Sequence, residues 1–241
     1  MRLLVTRPEP DASREAEALG RRGHEATLAP LLTIEFCSGV LLELEGAQGL
    51  IVTSRNALRA LAAHPELDAA LKLPLFAVGE ATARQAQELG FAKVIRGPGT
   101  GAELAKLISG KLRPERGPLV HLAGETLAFD LKSALESQGF TVRRPVLYRA
   151  VPARSLPADA LSLLKAGKLD GVILMSPRTA KTFADLLARQ GLVTQAKSLV
   201  CYCLSEAVAE AVTPLGFDAR VAARPREEDV LALLDSEAAS S

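Results

Sequence analysis

The chain of 241 residues carries 29 basic against 28 acidic side chains, a net charge of +1, and 48% of it is hydrophobic. That is enough apolar material for one large or two smaller cores, while the balanced charge, with no dense basic run, leaves no electrostatic footprint for nucleic acid. Only 4% is aromatic and tryptophan is absent, which excludes a base-stacking platform, and no apolar stretch approaches the roughly 20 residues that span a bilayer.

In chain order, short β-type runs alternate with longer Ala/Leu/Glu/Arg segments of helical period, the pattern of βαβ units around parallel sheets. A strand is predicted over 3–6 and a helix over 11–22, then a strand over 50–53 and a helix over 55–63. A strand over 75–78, a helix over 81–89, a strand over 93–96 and a helix over 102–108 follow. The second half repeats the alternation with strands over 119–122, 171–175, 199–204 and 219–222, and helices over 128–138, 178–189 and 206–212. Gly23, Gly90, Gly139 and Gly191 follow helices where left-handed C-caps are expected. Residues 29–36 and 144–152 break the pattern: both are extended and proline-flanked, and read as connections by which the chain leaves one lobe and later returns. Residues 236–241 are small and polar and are expected to fray.

The chain is also written twice. Leu3, Ala18, Leu19 and Gly23 are matched by Leu119, Ala134, Leu135 and Gly139, and Gly49 and Ser54 by Gly171 and Ser176. Glu80, Ala81 and Ala83 are matched by Glu206, Ala207 and Ala209, and Leu89-Gly90-Phe91 by Leu215-Gly216-Phe217. The offset drifts from 116 to 122 to 126, as loop insertions in one copy would make it drift. Two similar lobes are expected, with a cleft between them as the first place to look for function.

Ligands of open parallel sheets bind beyond the carboxyl ends of the strands. Those ends read Thr6-Arg7-Pro8, Thr53-Ser54-Arg55-Asn56, Gly79-Glu80-Ala81-Thr82, Ala123-Gly124-Glu125-Thr126, Ser176-Pro177-Arg178-Thr179 and Ser205-Glu206. They are rich in hydroxyls and Arg and poor in nucleophiles and metal ligands, a lining for an anionic ligand. Taken singly, each Ser or Thr is equally well an ordinary helix N-cap. Arg55 and Arg178 are less expected from capping, because a cation at a helix N-terminus is unfavourable without an anion beside it.

Elsewhere the residues read as structural. Cys37, Cys201 and Cys203 lack metal spacing, and Cys201 and Cys203 alternate inside an apolar run as small core residues. His121 lies in an apolar strand and reads as a satisfied core histidine. Gly97-Pro98-Gly99-Thr100-Gly101 lacks the Lys-Ser/Thr of a P-loop and reads as a turn before a helix. Tyr148 stands in the second connection, either a partly buried linker aromatic or a residue at the mouth of the expected cleft. The opening MRLLVTRPEP breaks at Arg7-Pro8 before a signal-peptide core could form, so a cytoplasmic location is expected.

These pieces resemble the uroporphyrinogen-III synthase family. The resemblance is carried by Leu4-Val5-Thr6-Arg7-Pro8, by residues 23–31, by residues 50–57, by Ala77-Val78-Gly79-Glu80-Ala81-Thr82-Ala83, by Val146-Leu147-Tyr148-Arg149 and by Met175-Ser176-Pro177, in the right order over nearly the whole length. It implies an α/β fold of two similar parallel-sheet, flavodoxin-like lobes joined by a two-stranded linker: residues 1–31 with 153–241, residues 38–144, and linker strands at 32–37 and 145–152. It also implies a reaction, cyclisation of hydroxymethylbilane to uroporphyrinogen III with inversion of ring D and loss of water. No cofactor and no metal are implied, nor any nucleic-acid or membrane partner. The implied protein is a monomer, with transient contact to the preceding pathway enzyme.

By the same resemblance, Tyr148 is the hydrogen-bond donor or general acid to the departing hydroxyl. Arg7, Thr53, Ser54, Arg55, Thr82 and Ser176 fall at substrate-binding positions. Where the family commonly has a Gly-Pro-Thr-Thr-like turn, this chain has Ser205-Glu206-Ala207-Val208, so a threonine contact there is lost and Ser205 is the available substitute. Two other readings fit the same turns: a non-catalytic bilobed sensor or carrier of small molecules, and an enzyme acting on a sugar phosphate.

Overall fold

Leu3, Leu4 and Val5 are fully buried yet alternate between two hydrophobic clusters, Leu4 facing one and its neighbours the other. Leu50, Ile51 and Val52 do the same between a second pair of clusters. A strand covered on both faces reads as a continuous apolar run, which is the signature of a parallel sheet packed between helices. The computed structural model, which describes residues 1–238, has two such sheets.

The chain forms two compact units, Met1–Thr33 with residues from Val151 onward, and Ile34–Ala150. The first begins with β1 (Arg2–Val5), α1 (Asp11–Gly20) and β2 (Glu25–Leu28), and β3 (Leu32–Phe36) leads out of it. The second contains β4 (Gly49–Val52), α2 (Arg55–Ala62), α3 (Leu67–Ala70), β5 (Leu75–Ala77), α4 (Glu80–Glu88), β6 (Val94–Arg96) and α5 (Gly101–Lys111). It continues with β7 (Leu119–Gly124), α6 (Leu131–Glu136) and β8 (Val142–Arg143), and β9 (Val146–Pro152) leads back. The first unit resumes with α7 (Ala158–Lys165), β10 (Gly171–Leu174), α8 (Pro177–Arg189), β11 (Val200–Cys203), α9 (Glu206–Ala209), β12 (Asp218–Val221) and α10 (Glu227–Ala238).

The internal repeat is visible in the topology. The five-stranded sheet runs β2-β1-β10-β11-β12, all neighbours parallel. In the other unit β8 and β7 are followed by β4, β5 and β6, again all parallel. The matched residues fall on corresponding strands: Leu3 on β1 and Leu119 on β7, Gly171 on β10 and Gly49 on β4. The first sheet thus has the doubly wound order 2-1-3-4-5, and the second reads 3-2-1-4-5 in chain order, the same plan with its strands circularly permuted; the winding reverses between β1 and β10 in one unit and between β7 and β4 in the other. Gly171 must be glycine, because a Cβ there would lie 2.6 Å from the Tyr202 ring and 2.9 Å from the Val200 carbonyl oxygen.

The two connections form a ladder of opposite chain direction. The Ala153 N–H donates to the Leu31 carbonyl at one end and the Cys37 N–H to the Leu147 carbonyl at the other, each at 2.9 Å. β9 also pairs with the carboxyl end of β7, on the edge that β8 occupies nearer its start.

Several details differ from the sequence expectation. α6 starts at Leu131 rather than 128, because the Asp130 side chain caps it, accepting from the Ser133 N–H at 3.1 Å. α9 is a single turn, since Thr213–Leu215 winds as a 3-10 helix with Pro214 in its first turn. β2, β8, α3, α7 and α10 were not anticipated; α10 carries Glu227, Glu228 and Asp229 in its first turn, where carboxylates complement the helix dipole. That helix reaches Ala238, so residues 236–238 are helical rather than frayed, and 239–241 lie outside the described residues. The four cap glycines all have positive φ, from +65 to +107. Cys201 and Cys203 sit buried in one core cluster, and burial pushes both thiols up to about 12. Among the described residues no helix is long and apolar enough to cross a membrane.

Candidate active site

In the second unit the expected residues gather on one rim, at the carboxyl ends of adjacent strands β7, β4 and β5, with Tyr148, near the start of β9, beside the end of β7. Thr53 follows β4, Ser54 caps α2, Arg55 opens that helix, and Thr82 lies buried in the first turn of α4 after β5. The Ser54 hydroxyl accepts from the Asn56 N–H at 3.2 Å. Four strands at about 4.8 Å spacing put Tyr148 and the β5 turn about 14 Å apart, a length suited to a multi-ring ligand rather than to a single phosphate.

The winding reverses between β7 and β4, and there Thr53 meets His121, with Oγ1 and Nε2 at 3.3 Å. His121 is 1% exposed and its Nδ1 has no hydrogen-bond partner. The expectation of a satisfied core histidine therefore needs correcting: one ring nitrogen is satisfied, by a candidate site residue. Burial, with the Arg144 charge nearby, lowers its pKa to about 4, so the ring is neutral at physiological pH.

Tyr148 lies beside the end of β7. Ala123 is level with Val146 but Gly124 is level with Tyr148, so Leu147 is an extra residue in β9, a bulge of the kind that re-aims a side chain. Leu147 is buried in the core, whereas Tyr148 is half-buried and packs against that core's edge. Its ring lies over the bare backbone of Gly124: a Cβ there would come within 2.6 Å of Cζ and 2.8 Å of the phenol oxygen. The Glu125 N–H donates to the Tyr148 carbonyl at 2.9 Å and holds the pair in register. The sequence places Gly124 at a strand end but gives no sign of its part beneath Tyr148, since it is one glycine among 18; in the structure its φ does not lie in the left-handed range.

The first unit has the same plan with different chemistry. Where β1 meets β10, the buried Thr6 hydroxyl donates to the Ile173 carbonyl at 2.6 Å. Ser176 caps α8, accepting from the Thr179 N–H at 3.1 Å, and its hydroxyl lies 2.8 Å from that of Thr179. Arg7 does not present a free charge. Its guanidinium is 2.7 Å from Glu227, 3.4 Å from Glu15 and 3.9 Å from Asp11. Burial works against the Arg7 charge, but these carboxylates more than offset it and its pKa is raised. Glu15, 1% exposed, is pushed up to about 7, chiefly by burial, against the pull of Arg7. Ser205 precedes α9 without capping it, and Glu206 is exposed. No group of three or more His, Cys, Asp or Glu placed to hold a metal occurs among the described residues.

Two solved structures share this fold. Uroporphyrinogen-III synthetase from Helicobacter pylori 26695 is 20% identical, with 98% of each chain covered and a TM-score of 0.66. A mutant uroporphyrinogen III synthase from the extremely thermophilic bacterium Thermus thermophilus is 18% identical, with both chains covered completely and a TM-score of 0.61. At such identities the likeness establishes the fold. No curated protein matches the sequence. The family model for uroporphyrinogen-III synthase HemD, however, matches residues 13–232, nearly the entire chain and every turn described above except that of Arg7. With sequence and architecture in agreement, the chain belongs to the uroporphyrinogen-III synthase family.

Proposed function

We propose that Tyr148 donates a hydrogen bond or a proton to the departing hydroxyl of hydroxymethylbilane, and that Thr53, Ser54, Arg55 and Thr82 hold its acetate and propionate carboxylates. The family's reaction is a cyclising lyase step of tetrapyrrole (heme) biosynthesis, which closes this linear tetrapyrrole to uroporphyrinogen III with inversion of ring D and loss of water. The substrate carries its own reactive hydroxymethyl group and closes unaided to the unrearranged isomer. The protein's task is therefore chiefly to fold the chain and steer the attack, a matter of position more than of powerful acid or base. Loss of hydroxide as water needs one proton, for which a phenol held near the leaving group suffices.

The observation that supports this reading best is the row of three hydroxyl residues along the ends of adjacent strands β4 and β5, with Tyr148 braced over Gly124 at the end of neighbouring β7. Hydroxyls and helix N-termini suit carboxylates at a water-accessible rim. Ser176, at the equivalent place in the other unit, is proposed to take a carboxylate as well. Arg7 keeps a lesser part, since a substrate carboxylate would have to share its charge with Glu227, Glu15 and Asp11.

The purified protein, given hydroxymethylbilane, should yield mostly the type III isomer on chromatographic separation; type I product alone would overturn the reading. The same reading takes residues 1–31 with 153–241, and residues 38–144, as working lobes joined by strands 32–37 and 145–152. It also takes the protein as a cytoplasmic monomer in transient contact with the preceding pathway enzyme. Light scattering at micromolar concentration checks the monomer, and hydrogen exchange in two separate cooperative sets checks the lobes.

A further inference from the structure

We infer that Gly124 is a positioning residue for Tyr148: the missing side chain at the end of β7 forms the seat that aims the phenol. The inference rests on the reading of Tyr148 as proton donor. Three observations support it. The Tyr148 ring occupies the space a Cβ would fill, with Cζ, the phenol oxygen and Cε2 at 2.6, 2.8 and 2.9 Å from that position. The contact falls at the register shift between Ala123 and Gly124, where Leu147 is driven into the core and Tyr148 turned onto the glycine. Gly124 also has no conformational need to be glycine, because its φ is not in the left-handed region. A glycine demanded by neither turn geometry nor dihedral angle, on a fully buried strand where a larger apolar residue would pack better, is explained by what lies on it.

The arrangement solves a specific difficulty. A half-buried tyrosine on a connecting strand has two free side-chain torsions and could point its hydroxyl to solvent. Backing the ring against flat backbone on one side and the core edge on the other removes that freedom before substrate arrives, so the proton is delivered from a fixed place. Adding one methyl group at Gly124 leaves every polar group in the site unchanged and alters only the seat.

The test is Gly124→Ala, alone and combined with Tyr148→Phe. With hydroxymethylbilane as substrate, kcat should fall by about 10–100-fold with KM within about twofold, because the carboxylate contacts are untouched. Added to Tyr148→Phe, the same substitution should cause no further loss. The chain has two tyrosines and no tryptophan, and Tyr202 is fully buried, so the emission lost in Tyr148→Phe reports Tyr148 alone. In Gly124→Ala that emission should become more accessible to acrylamide.

Unchanged quenching, or an equal loss of kcat in the Tyr148→Phe background, overturns the inference. Should Gly124→Ala fail to fold, Gly124→Ala/Tyr148→Ala decides: it folds if the ring is what the methyl group meets, and a second failure overturns the proposal. Full activity in Tyr148→Phe would instead sink the proton-donor reading, while the quenching result would still report whether Gly124 seats the ring.

Discussion

The hydroxyl of Thr53 and the Nε2 of His121 lie 3.3 Å apart, joining β4 to β7 at the point where the winding of the sheet reverses. Burial keeps the imidazole neutral, so it meets the hydroxyl without adding a charge to the rim. Replacing His121 by Leu should raise KM for hydroxymethylbilane about three- to tenfold, the worth of one oriented hydrogen bond, with a smaller effect from Gln. Equal KM values in all three proteins would show that the contact has no part in binding.

The same histidine ties stability to pH. The unfolded chain takes up its proton near pH 6.5, but the folded chain resists until about pH 4, so the His121 contribution is complete above 6.5 and lost as pH falls. Between pH 7.5 and pH 5 this amounts to about 2 kcal/mol. Urea unfolding at the two pH values should show a loss smaller by that amount in His121→Gln than in the parent.

Glu15 works in the opposite sense. Its folded pKa of about 7 lies above that of the unfolded chain, so the folded state holds the extra proton between about 4.5 and 7, and the stabilisation fades as pH rises through 7. Glu15→Gln should gain roughly 2–3 kcal/mol over the parent between pH 5 and pH 8, with Arg7 still paired to Glu227 and Asp11. A pH-independent difference between variant and parent would show that the Arg7 cluster keeps Glu15 ionised throughout.

Tyr148→Phe should lower kcat by about 100-fold, the lower range for loss of a positioned acid, with far-UV circular dichroism and KM unchanged. Unchanged turnover would move the proton donor elsewhere on the rim.

Capping and binding can be separated at Ser176. Ala removes both the cap and the hydroxyl and should cost about 1 kcal/mol of stability, whereas Gly keeps most of the capping free energy and loses only the hydroxyl. If Ser176 holds a carboxylate, Ser176→Gly raises KM while the melting temperature barely moves; a normal KM in this variant leaves Ser176 as a cap alone.

Most of the architecture was legible in the sequence because its causes are local. Continuous apolar runs such as Leu3 to Val5 declare strands buried on both faces, and glycines such as Gly23 and Gly139 mark helix ends. The doubled pattern places matching residues on matching strands, and the family resemblance picked out the hydroxyl turns. Short or weakly patterned elements escaped: β8 has two residues, and α7 follows Pro157 without a capping side chain.

What the sequence could not state is which side chains meet. Arg7 looked like a charge for a ligand, and only the return of α10 to the first unit shows Glu227 at 2.7 Å from it. His121 looked like core, and only the pairing of β7 with β4 sets it against Thr53. Gly124 carried no signal, because its reason for being glycine is a ring 24 residues further along, turned onto it by a one-residue slip in register. Burial, periodicity and helix ends depend on neighbours a few positions away along the chain. The charge state of Arg7 and Glu15, the contact of His121 with Thr53 and the seat of Tyr148 depend on neighbours brought in by strand order, and are decided only when the sheets close.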